Sequence, residues 1–71
     1  MVVAIVTYNI DDYRNATFSL FDQNGKILQR NTIENKEGSF IYDLSNYPNG
    51  TYNIILLHDG TSAIKRFVKI E

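Results

Sequence analysis

Apolar and polar residues alternate with a period of two along much of the chain, which places successive side chains on opposite faces of a strand. In ATFSLFD (16–22), Phe18 and Leu20 share one face. In SFIYDL (39–44) the shared face holds Phe40, Tyr42 and Leu44. TYNIILLH (51–58) puts Tyr52, Ile54 and Leu56 on one side and Ile55 and Leu57 on the other. The apolar residues on both sides predict that the middle of this strand is covered on both faces. Further strands are expected over 2–8, 26–33 and 62–70, and the polar stretch NIDDYRNA (9–16) reads as a loop. No segment carries a helical period. Val, Ile, Thr, Tyr and Phe are spread throughout, and turn signals recur about every 8–12 residues, the spacing of a small all-β sandwich. The expected architecture is immunoglobulin-like, with five to six antiparallel strands joined mainly by hairpins.

The turns have their own chemistry. Gln23-Asn24-Gly25 is a hairpin turn in which Asn-Gly tolerates positive φ at both residues. ENKEG (34–38) is a second turn, and Asp59-Gly60 closes the last hairpin. DLSNYPNGTY (43–52) holds the one proline of the chain. Tyr47-Pro48-Asn49-Gly50 fits a type I turn, with proline presetting φ at its second position. Asp43 or Ser45 can accept nearby backbone N–H groups as the chain leaves the strand. Leu44, Tyr52, Ile54 and Leu56 are expected in the core, with Gly50 at a turn.

At 71 residues the chain is expected to form a single domain, residues 1–71, with a small core and a stability whose usual ceiling is roughly 3–5 kcal/mol. With no cysteine, disulfides and thiolate metal sites are excluded; with His58 as the sole histidine a zinc staple is not expected, and 44% hydrophobic residues must supply the core. A net charge of −1 argues against nucleic acid as a partner. The apolar run VVAIV (2–6) is too short for a signal peptide or a membrane span. An export signal, if used, is expected on a longer precursor. Homodimerisation or a strand swap would be a plausible source of extra stability for so small a domain.

Catalytic chemistry is absent from the pattern. His58 has no nucleophile in an informative motif and reads as a strand-end residue. Asp11-Asp12 reads as a solvated pair. Asp22-Gln23-Asn24-Gly25 has its glycine too early for a calcium loop and no closing glutamate. No phosphate loop or dinucleotide glycine pattern occurs. Asn15-Ala16-Thr17 and Asn49-Gly50-Thr51 match the glycosylation tripeptide, a frequent chance match. Five tyrosines suggest a sugar platform, but Tyr42 and Tyr52 fall on core faces, where a tyrosine packs its ring and sends its hydroxyl to the rim. Lys65, Arg66 and Lys69 give a basic last strand, read either as an edge protected by charge or as a surface for a partner.

Residues 18–69 resemble the C-terminal sorting domain of proteins exported by the type IX secretion system of Bacteroidota. The resemblance rests on FSLFDQNGKIL (18–28), DLSNYPNGTY (43–52) and HDGTSAIKRFVK (58–69). Asp22, Gly25 and Lys26 match the first piece. Asp43, Leu44, Ser45, Pro48, Gly50 and Tyr52 match the second, and Gly60, Lys65 and Lys69 the third. Tyr47 stands where the family usually has leucine, and the family's opening P-N-P is missing. The resemblance implies a non-catalytic address label on the C-terminal part of a longer exported protein. Its implied partners are the outer-membrane secretion machinery with its sortase-like peptidase, and its parent cargo. It implies no cofactor and no metal, and a secreted or cell-surface destination reached through the periplasm. The alternative is a small secreted β-sandwich binding module of Bacteroides type, for protein or carbohydrate, since such proteins carry a similar D-L-S-x-L-P-x-G-x-Y-like corner.

Overall fold

The computed structural model describes residues 2–70, and every strand is antiparallel to its neighbours. The six strands are β1 (Val3–Asn9), β2 (Ala16–Phe21), β3 (Ile27–Thr32), β4 (Glu37–Asp43), β5 (Gly50–His58) and β6 (Thr61–Lys69). Strands β1 and β4 form a two-stranded sheet, and the other four form a sheet of order β3-β2-β5-β6. The two inner faces enclose one core, as expected for a small immunoglobulin-like sandwich. Hairpins join β2 to β3 and β5 to β6, and the other three connections carry the chain between sheets. The polar stretch after β1 contains one short 3-10 turn, Tyr13–Asn15.

The period-two pattern decides the core. Phe18, Leu20, Tyr42, Leu44, Tyr52 and Ile54 are all buried, together with Ala16 and Ile33. Leu56 packs against this cluster but is only half-buried. Aromatic rings bridge the sheets. Phe18 of β2 lies 5.4 Å edge-on from Phe40 of β4 and 5.6 Å from Tyr8 of β1. Such pairs contribute beyond their buried area by about 0.5–1.5 kcal/mol each.

Four details differ from the sequence expectation. Strand β5 is covered on one face only, and Leu57 on the other is 43% exposed, because no third layer lies over the outer face. The first hairpin does not use two left-handed residues. Gly25 alone has positive φ, at 83°, and Asn24 does not. Here Asp22 organises the loop, its Oδ1 accepting the N–H groups of Asn24 and Lys26, both at 2.9 Å. That accounts for the aspartate at the start of this turn and the glycine within it. The last hairpin does use both residues, with φ of 49° at Asp59 and 80° at Gly60, the geometry of a two-residue loop.

The third difference concerns the turn predicted at 47–50. The hydrogen-bonded turn lies earlier, with Tyr47 N–H donating to Leu44 C=O at 3.0 Å, and Gly50 opens β5. The Asp43 carboxylate takes the Ser45 N–H at 2.9 Å and so starts the reversal as soon as β4 ends. The fourth is Tyr42. Its hydroxyl does not reach the rim but is buried with no partner among the described residues, and burial raises its pKa above the usual phenol value. An orphaned buried hydroxyl costs stability. Tyr42→Phe is therefore expected to stabilise the domain by about 1 kcal/mol in urea unfolding. A raised folded-state pKa means that stability is held below the unfolded phenol value and lost as pH rises through the folded one. The phenylalanine variant should lack that alkaline loss.

Candidate functional site

The densest set of specific polar contacts lies where β4 passes into β5. Leu44 N–H donates to Val2 C=O at 2.8 Å, and Val2 N–H donates to Ser45 Oγ at 3.4 Å, tying the corner to the start of β1. The tight turn at 44–47 then leaves the carbonyls of Leu44 and Tyr47 directed inward. Lys69, the last residue of β6, answers both. Its Nζ donates to Leu44 O at 2.7 Å and to Tyr47 O at 2.6 Å, and the residue is 4% exposed. Its position follows from register. Gly50 pairs with Lys69 and Tyr52 with Phe67, so Lys69 and Phe67 project onto the core side of the sheet.

Tyr52 completes the corner. Its hydroxyl donates to Pro48 C=O, and its ring stacks on Phe67 at 5.7 Å and meets Tyr47 at 6.2 Å. Gln29 Nε2 of β3 donates to the Tyr47 hydroxyl at 3.2 Å. Three carbonyls of an irregular segment are thus satisfied by two side chains that arrive from neighbouring strands. The DLSxxPxGxY spacing is readable in these terms. Aspartate starts the turn, leucine and tyrosine fill the core, and proline presents the carbonyl that takes the tyrosine hydroxyl.

The Asp43 carboxylate is held below the ordinary aspartate value, chiefly by side-chain and backbone hydrogen bonds with Ser45. A lowered folded-state pKa contributes stability above the unfolded value, and that contribution is lost as pH falls through the folded one. Acid unfolding below about pH 4 is therefore expected to be less steep in Asp43→Asn than in the parent, as followed by circular dichroism.

The structure brings Asp43, Leu44, Ser45, Pro48, Gly50, Tyr52 and Lys69 into one unit. It leaves Gly60 at the far end of the β5–β6 hairpin and Lys65 outside the corner, midway along β6. The basic last strand is therefore not one charged surface. Arg66 faces outward, Lys65 lies exposed on the core-side face, and Lys69 is a buried anchor. The sequence carried one signal for this: Phe67 and Lys69 share a strand parity, so an inward Phe67 draws Lys69 inward.

Among the described residues, the corner holds no acid, base or nucleophile constellation. Asp12, His58 and Asp59 lie close together at the other end, with ligand atoms within 4.8 Å of one another. His58 Nε2 is already engaged with Asp12 C=O, and it also lies 3.4 Å from the Asp59 carboxylate. These contacts tie the 3-10 turn to the last hairpin, a structural role that matches a strand-end histidine.

A family model described as a secretion system C-terminal sorting domain matches residues 3–71. Comparison with curated proteins and with solved structures returns no match.

Proposed function

Because this chain belongs to the family of secretion system C-terminal sorting domains, we propose that the folded corner, locked by the final strand, is what makes its address readable. The domain is the sorting signal that type IX secretion recognises, and it directs export through the periplasm to the cell surface or the medium. Domains of this family are generally non-catalytic. On our reading this one has no reaction of its own and rides at the C-terminal end of a longer cargo protein. The outer-membrane machinery accepts it, and the machinery's sortase-like peptidase later removes it.

The observation that supports this reading is the Lys69 ammonium seated on the Leu44 and Tyr47 carbonyls. It makes the last strand and the DLSNYPNG segment one cooperative element, although 22 residues separate Lys69 from Tyr47. A carbohydrate-binding role draws no support from the aromatic residues. Tyr42 and Tyr52 are buried, Tyr47 packs against Tyr52, and the half-buried Tyr8 is stacked on Phe40, so these four do not form an exposed platform.

The test is export of a fluorescent reporter that carries an ordinary export signal and residues 1–71 at its C-terminus, in a bacterium with a type IX system. Deleting 65–71 removes Lys69 and is expected to retain the reporter in the periplasm. Undiminished export of that deletion would refute the role given to the last strand.

A further inference from the structure

The two sheets are unequal, and the mismatch leaves a defined opening. Four strands face two, so the core-side face of β6 projects past β1. Between them runs a trough of about 720 Å³. Its floor is apolar, built by Val6, Tyr8, Phe18, Leu56, Ala63 and Phe67. Among the described residues, Lys65 is the one charged residue on its wall. Among the described residues, Lys65 forms no ion pair, and it is exposed although it sits on the core side of its sheet.

The rim of this trough is the free edge of β1. Ile10 N–H donates to Lys36 C=O at one end of the β1–β4 ladder, and Leu44 N–H donates to Val2 C=O at the other. Antiparallel ladders alternate, so the even-numbered residues of β1 bond β4 and the amides of Val3, Ile5, Thr7 and Asn9 point away from it. The other three edge strands are guarded. Strand β3 has Arg30 and a register shift opposite it in β2, β4 has Glu37 and Asp43 at its ends, and β6 has Lys65 and Arg66. Strand β1, VAIVTYN, has no charge, no proline and no register shift. An unguarded apolar edge beside an open apolar floor is a template for strand addition.

We propose that this trough receives an extended strand of a partner protein, which pairs with the free edge of β1 as a third strand of the small sheet. Its inward residues are apolar and alternate with outward ones. One inward position carries a carboxylate that meets Lys65. The lysine fixes the choice of partner. A second copy of β1 brings no carboxylate, and a second copy of β6 would set lysine against lysine. The proposal is independent of which export route the domain serves, because it concerns the edge and floor alone.

The probe is a blocked heptapeptide, Val-Thr-Val-Lys-Glu-Thr-Val, titrated into the isolated domain and followed by amide exchange and chemical shifts. The expected result is saturable binding with new protection at Ile5 and Thr7. Lys65→Glu, an exposed change that leaves the core intact, is expected to weaken binding by about tenfold or more. A peptide with lysine in place of its glutamate is expected to regain affinity for that variant. Several results would overturn the proposal: no saturation up to about 1 mM, equal affinity for Lys65→Glu, or protection that maps to β3 or β4 instead. Protection of the β1 edge without peptide, rising with protein concentration, would make a second copy the occupant and overturn it equally.

Discussion

Lys69→Met is expected to unfold most of the domain. Methionine keeps the length and apolar stem of lysine but donates nothing, so the carbonyls of Leu44 and Tyr47 lose a buried partner together. Hydrogen bonds to a charged donor contribute about 1.5–3 kcal/mol each, and an orphaned buried acceptor adds its desolvation penalty. Two such bonds amount to about 3–6 kcal/mol, which cancels most or all of the roughly 3–5 kcal/mol available to so small a core. Arg66→Ala is the control, since Arg66 is exposed on the same strand and makes only a long 3.5 Å contact with Asn53. It should change stability by no more than about 0.5 kcal/mol. Urea unfolding of the two variants separates an anchor from a charged strand. Similar small effects for both would mean that Lys69 contributes as surface charge and not as the lock described above.

The second large effect is expected at Phe18. This residue is the point where the two sheets meet, touching Tyr8 and Phe40 across the core. Phe18→Ala deletes that bridge and leaves a cavity on the floor of the trough, for an expected cost of about 3–5 kcal/mol. Loss of dispersed amide chemical shifts at 25 °C would register it. Phe18→Leu keeps most of the volume and should remain folded with a lower urea midpoint. A stable Phe18→Ala would mean that the sheets are held mainly by the corner and not by the aromatic bridge.

Much of this fold was legible because strands impose a simple period. Phe18 and Leu20, Tyr42 and Leu44, Tyr52 and Ile54 all fall on the inner faces that their alternation predicted. The turns were located well and typed less well. Asn24-Gly25 read as a doubly left-handed turn, but the Asp22 carboxylate binds two amides of the loop and lets Asn24 keep an ordinary backbone. Pro48 drew attention to 47–50, whereas Asp43 had already begun the reversal. Both misreadings share a cause, because a side-chain cap competes with backbone preference and its reach depends on geometry that residue types do not specify.

The candidate site was half legible for a related reason. The corner residues were recognisable as a set, but lysine near the end of a basic strand reads as exposed. Only its parity with Phe67 and its pairing with Gly50 bring Lys69 under the corner. Similarly, Ile55 and Leu57 suggested a covered outer face, yet a two-layer sandwich leaves that face to solvent, with Leu57, Ile64 and Val68 exposed upon it. The unequal sheets, and hence the trough beside β1, follow from which strands pair, and pairing is not written in the period of any one strand.

The most direct test of the central claim is a comparison of export between two strains. The same reporter, carrying residues 1–71 at its C-terminus, would be expressed in a type IX-competent bacterium and in its derivative without the outer-membrane machinery. The fraction outside the periplasm is the measurement. The account predicts reporter on the surface or in the medium of the competent strain and folded reporter held in the periplasm of the other. Equal periplasmic retention in both strains, with the domain folded, would contradict it.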